Sequence, residues 1–420
     1  MASTGVALAL AIFLFTYCFL AFEKLPLLKL DRTGGVLVGA VMMVATGILT
    51  FEEAWTAIDG QTIVLLTGMM ILNVYLEASG FFSLVADVVL KRFRSPVTLL
   101  IGLTFLSGIL SALFLNDTVC LMLTVPLLRA LTAARLPTLP YIVALAMSAN
   151  VGSVMTVTGN PQNMLIHVYS EIGYLPFALR LVPVGLASLA VLVVVLLLFF
   201  GRSLGKHVIS KDAETAALCS DYEVDYWLLG LTLLTLAGVL AGFMVSPNLA
   251  LVAITGAAAL LVLARRPAQT ILAQVDWVLL VFFSGLFVVM AGVAKTGLLE
   301  KLAAQVQPIY GNSLTTQVPV FCSLTVIASN VVSNVPFVIL ARDMMATLID
   351  PKLMWLMLAM ASTFAGNLTI PGSVATLIVL RLAGPEHRVG FFQFLLVGVP
   401  VTLLTTALGA AMLLWLGAAS

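Results

Sequence analysis

Long apolar runs constrain this 420-residue chain more than any other feature of its sequence. A helix needs about 20 mostly apolar residues to span a bilayer. Runs of that kind lie near residues 5–22, 33–51, 61–79, 137–166, 176–200, 226–245, 248–264, 276–294, 352–380 and 391–417. The sequence therefore predicts an all-α polytopic membrane protein with about ten transmembrane helices.

The composition excludes most soluble alternatives. Hydrophobic residues make up 61% and charged residues 9% of the chain, whereas soluble domains carry about 25% charged residues. The net charge of +1 offers no basic surface for nucleic acid. Three scattered histidines and four cysteines without CxxC spacing indicate neither a metal centre nor a disulfide framework. We therefore expect no cofactor, no metal and no nucleic-acid partner.

Motifs of membrane enzymes are missing from the sequence. It contains no GxGD motif of an aspartyl protease, no HExxH and no GxxxxGK[ST]. We therefore do not expect an enzyme, and an ATP-driven process would need a separate ATPase subunit. A passive channel is a further alternative, which the internal repeats described below do not favour.

The positive charges indicate an orientation. If the N-terminus lies outside, the inside loops hold 15 of the 20 Lys and Arg residues, in agreement with the positive-inside rule. No Lys or Arg precedes the first apolar run, which favours a retained helix over a cleaved signal peptide. We expect an integral protein of a bacterial plasma (inner) membrane with both termini outside.

Two further apolar stretches, 96–132 and 314–348, are each interrupted by a short polar sequence. Polar groups that face lipid at mid-bilayer cost several kcal/mol. Two half-length helices that meet at a buried polar tip avoid that cost. We therefore predict two re-entrant hairpins, with two full spans joined by a polar loop as the alternative in each case.

The chain also repeats itself at rare polar and glycine positions. Shifts of 217 and 213 residues align Asp59 with Asp276, Asn116-Asp117 with Ser333-Asn334, Thr156 with Thr369 and Gly159 with Gly372. Each half then contains three spans, a hairpin, a broken span and a final span, with an amphipathic piece near 81–92 or 297–307. Five crossings is an odd number, so the halves must be inverted, which is typical of secondary transporters.

These features predict a domain organisation. The first inverted repeat covers residues 1–200, with a hairpin at 96–132 and a broken helix at 137–166. A cytoplasmic linker follows at 201–225. The second repeat covers residues 226–420, with a hairpin at 314–348 and a broken helix at 352–380.

The hairpin tips and helix breaks are where we expect the chemistry. The broken spans read SANVGSVMTVTGNPQN from Ser148 and STFAGNLTIPGSVAT from Ser362, and Gly and Pro interrupt both helices. A break exposes N–H groups that can hold an oxygen and carbonyls that can hold a cation or a hydroxyl. The candidate substrate-binding residues are Asn116, Asp117, Thr118, Thr158, Gly159, Asn160, Asn163, Ser333, Asn334, Gly366, Asn367, Thr369, Gly372 and Ser373.

Asp117 is the most informative of these residues. Ionisable groups within a membrane span are costly and usually functional. An apolar surrounding disfavours the charged carboxylate, so Asp117 can take up and release a proton at working pH. We predict that it couples transport to protons; a helix cap is the alternative, and both roles can coexist.

Three other acidic residues and one cysteine have simpler interpretations. Asp59 and Asp276 begin helices and are expected to be caps, and Glu77 is expected at the membrane interface. Cys120 lies one helical turn from Asp117 and is a candidate thiol for a metalloid. A small buried cysteine is the commoner case.

At these motifs the sequence resembles the ion transporter superfamily. The residues that carry the resemblance are Asn116-Asp117-Thr118, Gly159-Asn160-Pro161-Gln162-Asn163, Ser333-Asn334-Val335-Pro336, Gly366-Asn367-Leu368-Thr369 and Gly372-Ser373-Val374-Ala375. This superfamily includes arsenite/antimonite efflux permeases, the melanosomal pink-eyed-dilution protein, sodium/proton antiporters and divalent-anion/sodium symporters. The GNPQN stretch and the compact length are most similar to the arsenical pump membrane proteins.

The resemblance implies a scaffold part and a moving transport part that contains the hairpins and broken helices. It also implies dimerisation through the scaffold, as in the divalent-anion branch. The hairpin tips differ from the Ser-Asn-Thr tips of that branch, because here they read Asn-Asp-Thr and Ser-Asn-Val-Pro. No Lys, Arg or His lies in the four polar interruptions, so an ionised Asp117 would repel a dicarboxylate.

The leading hypothesis is a proton-coupled antiporter that exports arsenite and antimonite. Arsenous acid is mostly uncharged at pH 7, and amide and hydroxyl groups can bind its three hydroxyls. Alternatives are a sodium- or proton-coupled anion or carboxylate transporter and a sodium/proton antiporter. In all of these the partners are a small solute, a coupling ion and the lipid bilayer.

Overall fold

The computed structural model describes residues 3–21, 30–93, 95–205, 223–297 and 310–418, which form helices joined by short loops and turns. The first half contains α1 (Ser3–Ala21), α2 (Arg32–Ala45), α3 (Phe51–Ala57), α4 (Gly60–Ala78), α5 (Phe81–Arg92), α6 (Pro96–Leu113), α7 (Asn116–Ala133), α8 (Leu139–Ser153), α9 (Pro161–Ser170) and α10 (Tyr174–Leu204). The second half contains α11 (Tyr226–Val245), α12 (Leu249–Leu263), α13 (Ala268–Leu272), α14 (Trp277–Ala294), α15 (Leu314–Val332), α16 (Asn334–Ala341), α17 (Pro351–Ala365), α18 (Val374–Ala383) and α19 (Phe391–Ala418).

These helices account for the ten predicted crossings. Seven of the described helices are long and apolar enough to cross a membrane individually. Two of these, α6 and α15, belong to the predicted hairpins, and α4, α10, α11, α14 and α19 supply five crossings. The shorter apolar helices α1, α2 and α12 provide three more. The pairs α8–α9 and α17–α18 form the first and second broken helices. The fold class predicted from the sequence is confirmed.

Polar residues at the helix starts satisfy free backbone N–H groups, as the capping rules predict. The Oδ1 atom of Asp59 accepts from the N–H of Thr62 at 2.8 Å. Asp276 accepts in the same way from Leu279 at 3.0 Å. Both aspartates are therefore helix caps, as predicted.

The second predicted span, 33–51, is too long. Helix α2 ends at Ala45, where Thr46 and Gly47 form a turn and Gly47 has a left-handed φ of 73°. Gly tolerates that conformation, which commonly ends helices. A capping box between Thr50 and Glu53 then starts the separate helix α3.

The first hairpin consists of α6 and α7, and its helices are not half-length as predicted. Each has 18 residues, which corresponds to about 27 Å. Its tip nevertheless lies beside the break of α8–α9. The Tyr141 hydroxyl near the start of α8 donates to the Pro96 carbonyl at the start of α6, at 2.8 Å. At the other end, Asn116 Nδ2 donates to Asn150 Oδ1 at 3.2 Å.

Helix α6 therefore runs beside α8 from one membrane side to the depth of the break, and α7 returns. The second hairpin repeats this arrangement with α15 and α16. Its first helix has 19 residues, and its returning helix has 8 residues followed by a 3-10 turn at Arg342–Thr347. Asn330, near the end of α15, contacts the break of α17–α18. Both hairpins thus turn back beside a helix break, as the re-entrant interpretation predicts.

The helices form two groups. A flanking bundle contains α1, α2, α4, α11, α12 and α14, which pack mainly against one another. A site bundle contains the two hairpins and two broken helices, together with α10 and α19, which pack against each other. This division matches the scaffold and transport parts that the resemblance implies.

Contacts between loops agree with the predicted sidedness. Lys295 pairs with Glu53 at 2.6 Å, and with the N-terminus outside both lie in outer loops of the predicted topology. Arg266 pairs with Asp225 at 2.8 Å, and in the same topology both lie on the inner side. The hydrogen bond from Lys295 keeps the pKa of Glu53 below its usual range. Which of the two sides faces the cytoplasm stays a prediction.

Parts of two predicted segments lie outside the described residues. They are residues 206–222 of the 201–225 linker and residues 298–307 of the second amphipathic piece. The corresponding piece of the first half forms helix α5.

Two glycines allow α6 and α8 to pack closely. A Cβ at Gly152 would overlap the backbone carbonyl of Gly108. We expect Gly152→Ala to force these helices apart and to lower stability by about 1–3 kcal/mol. Thermal unfolding of the purified protein in detergent measures this change.

Gly230→Ala is the matched control, because no atom lies within 4 Å of a Cβ built there. It should leave the melting temperature unchanged or raise it slightly, because alanine favours helix. Equal melting temperatures for the two variants would contradict the close contact of α6 and α8.

Candidate functional site

The first break separates α8 from α9 by a short 3-10 turn at Val157–Gly159. Asn160 caps α9, and its Oδ1 atom accepts from the N–H of Asn163 at 2.8 Å. Pro161 follows at the first helical position, where its missing N–H costs nothing. Gly159 is required because a Cβ there would overlap the Ser153 carbonyl.

Two asparagine side chains hold this break in shape. Asn160 Nδ2 donates to Ser153 Oγ at 2.9 Å. Asn163 Nδ2 donates to the carbonyls of Ser153 at 3.1 Å and Thr156 at 2.9 Å. These side chains occupy carbonyls that we had expected to bind a cation or a hydroxyl. Asn160 and Asn163 therefore stabilise the conformation of the first break through hydrogen bonds.

The second break is also stabilised by an asparagine side chain, which here belongs to the second hairpin. Asn330 Nδ2 donates to the carbonyl of Ala365, the last residue of α17, at 2.9 Å. Its Oδ1 atom accepts from the Thr369 hydroxyl at 2.8 Å. A Cβ at Gly372 would lie 2.8 Å from the same Oδ1 atom. Thr369 and Gly372 are thus joined through Asn330, which sequence reasoning missed.

The two breaks are joined to each other by a pair of related hydrogen bonds. Ser373 Oγ donates to Asn150 Oδ1 at 2.8 Å. Asn160 Nδ2 donates to Thr363 Oγ1 at 3.2 Å. A shift of 213 residues converts Asn150 into Thr363 and Asn160 into Ser373. The repeats therefore meet at these bonds in a pseudo-symmetric arrangement.

The Asn150 side chain makes four hydrogen bonds within the site. Its Oδ1 atom accepts from Asn116 and Ser373, and its Nδ2 donates to Asn367 Oδ1 at 3.0 Å and to Thr376 Oγ1 at 3.4 Å. The residue is 2% exposed. It joins the tip of the first hairpin to both sides of the second break. We call Asn116, Asn150, Asn367, Ser373 and Thr376 the amide network.

Several predicted residues have fewer or different contacts. Asp117 is half-buried, and its carboxylate accepts no hydrogen bond from the described part of the chain. It is therefore not a cap, because Leu115 occupies that position and Asn116 Oδ1 accepts from the Asp117 N–H at 2.9 Å. Thr158 is buried beside Thr156 at 3.4 Å.

Among the described residues, no hydrogen bond joins the tip of the second hairpin, Ser333-Asn334, to the amide network. Ser333 has a left-handed φ of 68°, which is unusual for a residue other than glycine. The Oδ1 atom of Asn334 is buried and has no partner among the described residues. Gly366 lies against Ser373, at 3.1 Å from a Cβ built on it to the serine Cβ.

Sequence reasoning missed Asn150, Thr363, Asn330 and Asn73 as site residues. Asn150 and Thr363 could have been found, because the 213-residue shift aligns them within the broken spans. Asn73 donates to Thr118 Oγ1 at 3.3 Å. Asn73 could have been identified as a lone polar residue in the middle of the apolar run 61–79. Polar side chains within a membrane span are costly and usually functional.

The chemistry available here is that of neutral hydrogen bonding plus one acid. Amide and hydroxyl groups of the network both donate and accept, and the network contains no Lys, Arg or His. Among the residues that the structure describes, no group of three His, Cys, Asp or Glu side chains could hold a metal ion. Cys120 is fully buried in apolar core.

Comparisons with known proteins agree on a transport family. The family model described as "Citrate transporter" (CitMHS) matches residues 17–365. The rice protein named silicon efflux transporter LSI3 is 31% identical, over 92% of this chain and 93% of its own length. A Dictyostelium discoideum protein named putative transporter arsB is 25% identical, over 93% of this chain and 88% of its own.

Solved transporter structures share the fold. The YdaH transporter of Alcanivorax borkumensis has a TM-score of 0.58 at 15% identity and covers 98% of both chains. MtrF of Neisseria gonorrhoeae has a TM-score of 0.51 at 10% identity and covers 97% of this chain and 94% of its own.

Proposed function

Because the chain belongs to the citrate transporter (CitMHS) family and is a secondary transporter of the membrane, not an enzyme, we propose that it exports arsenous acid or antimonous acid in exchange for protons. The observation that carries this proposal is an amide network without a cationic group, next to one acid that accepts no hydrogen bond from the described residues.

The solute chemistry follows from the charges. A carboxylate solute 4 Å from an ionised Asp117 would be repelled by about 4 kcal/mol at an effective dielectric constant of 20. The network offers no positive group to offset that cost. An uncharged solute with several hydroxyls escapes the repulsion, and each hydroxyl can donate to Asn Oδ1 and accept from Asn Nδ2.

Two relatives have names consistent with this class of solute. Silicon dissolves near neutral pH as uncharged silicic acid, so a silicon exporter and an arsenous acid exporter would handle similar polyhydroxyl molecules. The Dictyostelium relative carries a name of the arsenical type. Silicic acid is therefore a second candidate solute for the same site.

Proton coupling requires that the two orientations of the site bundle differ in proton affinity. We assign that role to Asp117, which lies at the tip of the first hairpin and whose carboxylate accepts no hydrogen bond from the described residues. We assign the solute contacts to the amide network and to Thr118, Thr369, Ser333 and Asn334.

We propose that the protein lies in a bacterial inner membrane with both termini outside. We also propose that it dimerises through the flanking bundle.

A direct assay tests the proposal. Inverted vesicles that contain the protein should take up arsenite when acidified inside, without sodium, and the uptake should saturate with solute. Cells without their own arsenite pump should become resistant when they express it. Citrate uptake that depends on sodium, with no arsenite flux, would instead support a carboxylate symporter, as the name of the family suggests.

A further inference from the structure

Asn73 lies on α4 of the flanking bundle and contacts the tip of the first hairpin. It is 2% exposed, and its Nδ2 donates to Thr118 Oγ1 at 3.3 Å. The hydrogen bond holds Asn73 against the same helical turn that carries Asp117. The flanking bundle therefore reaches the helical turn that carries Asp117 through a polar side chain.

The other half of the Asn73 amide is unsatisfied. Its Oδ1 atom is buried and has no hydrogen-bond partner among the described residues. A buried acceptor without a donor costs about 1–3 kcal/mol. The Asp117 carboxylate, one residue before Thr118, also accepts no hydrogen bond from the described residues. A proton on that carboxylate is the donor that Asn73 Oδ1 lacks.

The internal repeat supports a role for these residues as a set. At the 217-residue shift, Asn73 falls on Met290, Asp117 on Asn334 and Thr118 on Val335. The amide, the acid and the hydroxyl are thus all replaced in the second half. If the Asn73–Thr118 contact served only to pack the two bundles together, we would expect a similar polar contact at the repeat-related position in the second half. The sequence has none there, since Met290 and Val335 are apolar.

We propose that Asn73 is a positioning residue for proton coupling. When Asp117 is protonated, its hydroxyl donates to Asn73 Oδ1 and joins the tip of the first hairpin to the flanking bundle. When Asp117 has lost the proton, its carboxylate and Asn73 Oδ1 are two acceptors that repel each other, and the tip is released. This inference rests on the proposed role of Asp117 and adds the group that detects its protonation.

Other charged groups around Asp117 do not replace Asn73 in this role. Asp276 caps α14 through Leu279, and no hydrogen bond joins Asp276 or Cys120 to the Asp117 carboxylate among the described residues. The charged residues on the helices packed against α7 are Asp87, Lys91 and Arg92 of α5 and Arg381 of α18, with Arg129 on α7 itself and Glu77 one turn from Asn73. Of these, Lys91 and Asp87 pair with each other at 3.8 Å.

Infrared difference spectroscopy of the full-length protein in lipid, recorded between low and high pH, tests the proposal. The carbonyl band of protonated Asp117 is identified by its loss in Asp117→Asn. In Asn73→Leu the band should move to higher frequency, because its hydrogen bond is lost. The midpoint of its pH titration should fall by about one unit, the tenfold change that one hydrogen bond supplies.

Two further variants complete the experiment. Asn73→Ala, which adds no bulk, should give the same two shifts, and Met290→Leu, at the repeat-related position, should give neither. An unshifted band in a folded Asn73 variant would overturn the proposal, as would removal of the wild-type band by sodium at constant pH. The spectrum needs no solute, so failed arsenite export with intact band shifts would refute only the proposed solute.

Discussion

Asp117→Asn is expected to abolish arsenite uptake driven by a pH gradient in inverted vesicles. The amide keeps the size of the side chain but cannot exchange a proton, so the two orientations lose their difference in proton affinity. The pH-driven rate should fall to that of vesicles without the protein, while arsenite binding and gradient-independent exchange should persist. Paired flux and binding measurements separate these two effects.

Glu77→Gln is the control for this substitution. Glu77 lies near the end of α4 and is exposed, and neutralising it should leave pH-driven uptake at the wild-type rate. If Asp117→Asn retained full pH-driven uptake, the coupling role of Asp117 would be wrong, whatever the solute.

Asn150→Leu is expected to have the second large effect, on both stability and transport. Leucine has a similar size but neither donates nor accepts. It would leave Asn116, Ser373 and Asn367 without a buried partner, at about 1–3 kcal/mol each. We expect a loss of roughly 3–6 kcal/mol in the free energy of unfolding and no measurable solute flux.

Ser188→Ala provides the comparison for Asn150. Ser188 is equally buried, but its hydroxyl has no partner among the described residues, so removing it should be neutral or slightly stabilising. Chemical denaturation in mixed micelles compares the two variants. A drop of less than 1 kcal/mol for Asn150→Leu would mean that the amide network does not hold the site together.

Much of the fold could be predicted from the sequence because the bilayer restricts the choices. Apolar runs must be helices, since lipid offers no partner for backbone groups. The hairpins at 96–132 and 314–348 followed from polar residues that cannot face lipid. Their helix lengths were wrong, because the depth of a tip is set by tilt and packing against α8 and α17, which hydropathy does not report.

The candidate site was predicted in outline but not in its connections. The repeat shift identified Asn160 and Asn367, but it could not show that Asn160 would brace its own break. Asn330 was missed because it lies three residues before the expected tip. Residues three apart lie on the same face of a helix, so Asn330 shares a face with the tip residue Ser333. The sequence does not show that this face packs against the break of α17–α18.

The membrane class, the repeats, the two breaks and the acid at a hairpin tip could all be predicted from the order of the amino acids. These depend on which residues can enter lipid, which is a local property of each segment. The packing of the helices was needed to show that Asn150 joins both breaks to the first hairpin and that Asn73 reaches the turn of Asp117. Hydrogen bonds act over about 3 Å, so which polar groups pair depends on how distant segments pack.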